Sequence, residues 1–457
     1  MNRRRTVAAT VAATGAATRA ATRAATRAAI ASASARATAS AIALAMLLCG
    51  CTRIEAPPRA TWPTQAVGAA GPTANLDAAC VADYRPGVDY FPHKTTFSHS
   101  SQLEVEYGPH YKRVRFTPSV GTGERLEYLL VQCGTPVPPH RDEVPVIMVP
   151  IQRLVTGNAA MLGALDELGL VDRLYGTENV RSVTVPSVRA RIEQGKVHDM
   201  WGYGHASIEQ AMSVQADVYL SFYSAYPQGN MHPRLWELGV RAIAQADHHE
   251  PHPLGRAEWL KLLALLTNRE QRANAQFASI EAAYRRLATL AARAPTRPAV
   301  MSGFAAGRQS FETFGADNQR ARLIADAGGR YVLDGGGTGS LVYLPFERVY
   351  ARGVDAPAWL GTVGGRADLE AWLAASPLHG RFAAAAGRNV HAWDRGYTGA
   401  WAYPYQDQSM TRPHIQLAEA IAALHPQLAD EAADIILAAQ AATPTSDPPS
   451  RFLRKLP

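Results

Sequence analysis

The stretch Met161-Leu162-Gly163-Ala164-Leu165-Asp166-Glu167-Leu168-Gly169-Leu170-Val171-Asp172-Arg173-Leu174-Tyr175-Gly176 decides the fold class. Met161, Leu162, Leu165 and Leu168 recur at helical spacing within a helix predicted from Gly157 to Leu168, and Gly169 stands where a left-handed residue ends a helix. Arg173 to Thr177 then reads as a strand. Working outward, Val146 to Pro150 is an apolar strand, Ser207 to Met212 a helix, and Val218-Tyr219-Leu220-Ser221 another strand. Strands and helices alternating at such short intervals give βαβ units and a mostly parallel sheet, so the class is α/β.

Leu254 to Arg293 breaks that rhythm with dense helix formers. Trp259, Leu262, Leu263 and Leu266, then Phe277, Ile280, Tyr284, Leu287 and Leu290, form helical apolar stripes. Asn268 is placed to turn the chain or cap the next helix. Alternation resumes with a strand at Ala299 to Ser302, a helix at Asn318 to Ala327, strands near Tyr331 and Trp359, and a helix at Arg412 to Leu424. The expected architecture is two lobes of mostly parallel sheet flanked by helices, joined by a long rigid helix. A small β-rich segment precedes them, with strands at Gln102 to Tyr107, Tyr111 to Thr117 and Arg125 to Gln132. The expected divisions are a leader at 1–50, a flexible Pro/Ala/Gly/Thr-rich tether at 51–79 and the β-rich segment at 80–143. The first lobe follows at 144–253, the connecting helix at 254–294, the second lobe at 295–430 and a tail at 431–457.

The formal charge of +7 points at first to nucleic acid. Residues 1–50 carry Arg3, Arg4, Arg5, Arg19, Arg23, Arg27 and Arg36 and no acid, so the remaining chain is formally neutral. Charge then offers no case for DNA, RNA or a polybasic membrane face, and no nucleic-acid partner is expected. The leader ends in a short apolar run, Ala41 to Leu48, below the ~20 residues needed to span a bilayer. Its end, Leu48-Cys49-Gly50-Cys51, resembles the bacterial lipobox, which implies a lipid on Cys51 and argues against an organelle transit peptide. Cys80 and Cys133 remain, as one disulfide or as two buried thiols.

The body resembles the iron-chelate and cobalamin class of ABC transporter substrate-binding proteins, over roughly Val144 to Leu428. The helix, Leu-Gly turn and strand of 161–176 carry part of the likeness. Ser207-Ile208-Glu209-Gln210 through Gln215-Ala216-Asp217-Val218-Tyr219-Leu220 carries more, with Ala216 where the family usually has proline. Pro345-Phe346-Glu347-Arg348-Val349 through Asp355-Ala356-Pro357-Ala358-Trp359-Leu360 repeats that element in the second lobe. The resemblance implies a ligand held between lobes with little hinge motion, and Glu209 and Glu347 docking on arginines of a permease that works with an ATPase.

Loops at strand ends should line the cleft. They are aromatic: Trp201 and Tyr203 before the Glu209 helix, Tyr223 and Tyr226 after the next strand, then Trp393, Tyr397, Trp401 and Tyr403 in the second lobe. Such walls suit a large, flat or partly apolar ligand, and Arg308 and Arg395 could pair with an anionic rim. The expected ligand is an iron(III)-siderophore or similar chelate, with cobalamin or haem as alternatives, no resident cofactor, and a monomeric chain. His248-His249-Glu250-Pro251-His252 is weighed as a zinc or manganese site and read as a solvated loop, so no metal site is assigned. His205 or His232 could ligate haem or corrin axially. Asp334 to Ser340 lacks the Lys of a P-loop and reads as a flexible loop. No Gly-x-Ser-x-Gly elbow stands out, which disfavours an exported α/β hydrolase.

Overall fold

The computed structural model describes residues 62–457 apart from 122, 203, 204, 308, 334, 363, 400 and 443–450. The leader, Cys51, Tyr203, Arg308 and Asp334 therefore lie outside the described residues. Leu103–Tyr107, Tyr111–Phe116 and Leu126–Gln132 form an antiparallel meander, and Val146–Val149 adds to it in parallel. Its outer face is charged, with Arg113 on Glu127 at 2.6 Å, Arg115 on Glu106 at 2.8 Å and Arg125 on Glu104 at 3.0 Å. Its inner face carries buried Leu103, Val114, Phe116 and Tyr128 into the main core. This alternation is what a sheet with one solvated face requires. Cys80 and Cys133 are joined by a disulfide.

From Trp62 onward the stretch expected to be a flexible tether is packed on the body. Thr64–Gln65 pairs in parallel with Cys80–Val81, the Trp62 Nε1 donates to Pro150 O at 2.7 Å, and Val67 and Leu76 are buried. The stretch has no period because it is loop, yet its few apolar side chains suffice to pack it down. The expected tail is also part of the body. Helix Ala429–Ala442 packs on helices Glu270–Ala291 and Pro413–Leu424, and Arg454–Lys455 adds an antiparallel edge strand to the second lobe.

The first lobe is a five-stranded parallel sheet in the order Ala242–Gln245, Val218–Phe222, Leu154–Thr156, Leu174–Thr177, His198–Asp199. The second has Arg330–Tyr331, Ala299–Met301, Ala358–Thr362 and Val390–Ala392 in parallel, then the antiparallel edge. A three-stranded antiparallel sheet, Phe304–Ala305, Ser310–Thr313 and Val342–Pro345, folds over it. The connection comprises helices Pro253–Glu258, Leu260–Thr267 and Glu270–Ala291. Asn268 caps the second of these with φ 60°, the left-handed turn for which its short amide is suited. The Leu-rich helix Leu260–Thr267 is buried all round, its one charge, Lys261, held by Glu258 at 2.6 Å and by Thr96 O at 2.8 Å, and one core runs from the β-rich segment through this spine into both lobes.

Candidate ligand-binding site

Two cavities open where the parallel strands end, one per lobe. The first, about 520 Å³, is reached by Asn158 beyond strand Leu154–Thr156, Glu178 beyond Leu174–Thr177, Trp201 beyond His198–Asp199, and Phe222 at the end of Val218–Phe222. The second, about 410 Å³, is reached by Gly303 beyond Ala299–Met301, Thr362 at the end of its strand, and Trp393 beyond Val390–Ala392. Carboxyl ends of parallel strands leave such crevices because the following chain must turn away to reach its helix. Trp401 lines both cavities, so they are two halves of one cleft.

The cleft's back is tied across the lobes. Asp407, in helix Pro404–Gln408, accepts from Thr184 N at 2.5 Å, Thr184 Oγ1 at 2.7 Å and Val185 N at 3.1 Å. Burial still pushes its carboxyl up to about 6. Asn318 Nδ2 donates to His248 O at 3.3 Å, and Gln319 N to Glu250 O at 3.1 Å.

Of the expected aromatics, Trp201, Trp393, Trp401 and Tyr403 face the cleft. Trp393 stacks on Tyr405 at 5.3 Å, and Gln406 Nε2 donates to the Tyr403 hydroxyl at 2.8 Å. Four of the other expected residues lie outside the cleft lining. Tyr223 is a core residue, 3% exposed and edge-on to Phe116, while its neighbour Phe222 takes the cavity wall. Arg395 does not reach the cleft lining; its Nε donates to Leu453 O at 2.9 Å, holding the C-terminal strand. Tyr226 and Tyr397 are exposed outside both cavities, Tyr397 resting against Tyr403 and over Gly365.

The histidine run is not a solvated loop. His249 and Glu250 are buried, and His248 stacks on Phe222 at 4.5 Å. Glu250 accepts from Ser101 N at 2.9 Å and Trp259 Nε1 at 2.8 Å, and the His252 ring accepts from Leu254 N at 3.0 Å, so these groups serve the fold. His232 sits between Tyr223 and Trp236 in the core, and the side chain of His205 lies outside the described residues. In the Gly-rich loop the carbonyls of Gly335, Gly337 and Gly339 accept from Ala316, Asp317 and Gly315 N at 2.6, 3.1 and 2.8 Å. It is thus pinned to the 315–317 turn rather than free. Glu209 and Glu347 stand exposed in the first turns of helices Ile208–Ser213 and Phe346–Gly353, Glu209 accepting from Ser207 Oγ at 3.0 Å.

Sequence reasoning missed Glu178, Tyr219 and Arg320, each of which lines the cleft. Glu178 is the residue after a strand, which is the available signal for it.

The sequence model of the Periplasmic binding protein family matches residues 154–397, just over half of the chain. The chain belongs to that family. This periplasmic binding protein is 25% identical over 171 residues to an uncharacterized lipoprotein of Methanocaldococcus jannaschii, covering 35% of this chain and 41% of that one. The chain thus spans under half the length of that curated relative. Among solved structures, a periplasmic heme binding protein from Pseudomonas aeruginosa aligns at 19% identity and a TM-score of 0.47, over 67% of this chain and 98% of that one. The siderophore binding protein FhuD from Vibrio cholerae, solved with Fe3+-Desferal, aligns at 16% identity and 0.42, over 60% and 98%. Among the described residues no helix is long and apolar enough to cross a membrane.

Proposed function

We propose that this chain is the lipid-anchored substrate-binding component of an ABC importer, capturing an iron(III)-siderophore or similar iron chelate and delivering it to a permease and its ATPase. The observation that carries the reading is the cleft itself: two cavities at strand ends, joined by the shared wall of Trp401 and flanked by Trp201 and Trp393. Rigid aromatic faces bury large apolar area at low entropic cost, which suits a bulky chelate with polar edges. Membership of the periplasmic binding protein family and the lipobox ending at Cys51 support export and anchoring. Glu209 and Glu347, exposed on one short helix in each lobe, are the proposed docking carboxylates.

Three tryptophans on the walls provide the test. Purified protein titrated with ferric siderophores, haem and cobalamin should show saturable quenching of tryptophan fluorescence by a ferric chelate. Quenching by haem or cobalamin alone would move the ligand to that class, and silence across all three overturns the receptor reading. Charge reversal at Glu209 and Glu347 should abolish uptake in cells while leaving the quenching curve in place.

A further inference from the structure

We infer that the first-lobe half of the cleft is a subsite for an alkylammonium arm of the ligand, received by the Glu178 carboxylate and the Tyr219 hydroxyl; this rests on the receptor reading above. Glu178 and Tyr219 are the titratable side chains among the described residues lining that cavity. Tyr219 is 1% exposed and, among the described residues, its hydroxyl has no hydrogen-bond partner. A buried hydroxyl without a partner is unfavourable and rare in a native structure, unless something supplied from outside completes it. The position is kept open by Gly157, where a Cβ would stand 2.9 Å from the tyrosine ring. The two groups interact, since the charge of Glu178 helps hold the Tyr219 phenol protonated, after the larger effect of burial.

The charge census of the cleft points the same way. Arg320 is the one cation among the described residues lining either cavity, and it belongs to the second lobe, 5.8 Å from the Phe314 ring centre. Arg395, the cation expected there from sequence, is spent on Leu453. An anionic group in the first-lobe half would lie beside a carboxyl with no cation among the described residues of that wall. An ammonium would instead gain a charge-assisted hydrogen bond in a partly desolvated pocket, and the aromatic faces of Trp201 and Phe222 would accommodate its alkyl chain and attract its charge. Burial holds the Glu178 carboxyl up at about 7, and among the described residues no cation or donor opposes it. His248, stacked behind Phe222, is held down at about 3 by burial and stays neutral, so it does not compete. Glu178 is therefore poised to give up a proton when an ammonium arrives.

The probes are the ferric complex of desferrioxamine B, which carries a free terminal ammonium, and the ferric complex of its N-acetylated form, which has the same iron shell without the charge. The protein should bind the ammonium form roughly tenfold more tightly, the scale of one charge-assisted contact. That preference should grow as pH rises through 7, because the carboxylate form of Glu178 increases. Glu178→Gln should equalise the two complexes and flatten the pH profile, and Tyr219→Phe should narrow the preference. Equal binding of the two complexes by the unmodified protein, or a preference untouched by Glu178→Gln, overturns the subsite alone. Failure of both complexes to bind overturns the subsite, and the siderophore reading falls with it only where the other ferric siderophores of the titration above also fail to quench.

Discussion

Trp401 has φ 61°, a left-handed backbone that a bulky aromatic adopts only when its surroundings hold it there. Ala402 N closes the turn onto Gly399 O at 2.8 Å, and the indole is left 57% exposed between the two cavities. Strain and exposure at one residue are both unfavourable to the fold, which is the pattern of a side chain kept for binding. Trp401→Gly should weaken the quenching ligand at least about tenfold, the usual consequence of truncating an aromatic anchor. Its thermal midpoint should not fall, because glycine adopts this φ freely. A drop in midpoint with affinity intact would make the residue structural. The same scale shows where reading from sequence stops. Phe222 and Tyr223 are adjacent aromatics, and the structure puts the first in the cavity and the second in the core. A strand buried on both faces has no polar alternation to mark which side chain points where.

At the scale of elements, the β-rich segment is bolted to the spine by one buried ion pair. The Lys112 ammonium, fully buried, pairs with Glu270 and donates to Leu265 O at 2.8 Å and Asn268 Oδ1 at 2.7 Å. Glu270 also accepts from Asn75 Nδ2 at 2.7 Å. Burial pulls the Lys112 ammonium below the usual lysine range, with the Glu270 charge opposing. Removing one member leaves the other charge buried alone, so Lys112→Met should lower the unfolding free energy by about 3–5 kcal/mol. Adding Glu270→Gln to it should recover part of that loss, and urea denaturation of the two variants checks both. A loss under about 1 kcal/mol for Lys112→Met would place this pair among exposed ones. The helices of the spine and the strands of the lobes were legible because each carries its own period. The packed stretch at 62–79 and the strand Arg454–Lys455 were not, since their structure comes from partners distant in sequence.

The whole molecule should be acid-sensitive. Burial holds His232, His248, His249, His252, His379, His391 and His414 down at about 3 to 4. An unfolded histidine takes its proton near 6.5, so between 6.5 and 4 the unfolded chain binds protons that the folded chain refuses. Stability from this source is full above 6.5 and is lost as pH falls. Burial also raises Glu178 and Glu419 to about 7 and Asp407 to about 6. These three act oppositely, since the folded chain then binds protons that the unfolded chain does not. Seven outnumber three, so the unfolding constant should rise by more than about tenfold per pH unit on acidification from 6.5 towards 4.5. Denaturant midpoints measured across pH 8 to 4.5 test this, and a flat or rising profile contradicts it.

The sequence alone determined the α/β class, the two lobes, the helical spine with its break at Asn268, and the aromatic character of the strand-end loops. Each of these is a local property, set by the period of apolar side chains or by the φ preference of one residue. Only the tertiary structure decided which aromatics share the cleft, that Arg395 serves the C-terminal strand, and that Glu178 and Tyr219 meet in a cavity. Those depend on side-chain direction and on elements tens to hundreds of residues apart, and neither is written in the period of any one segment.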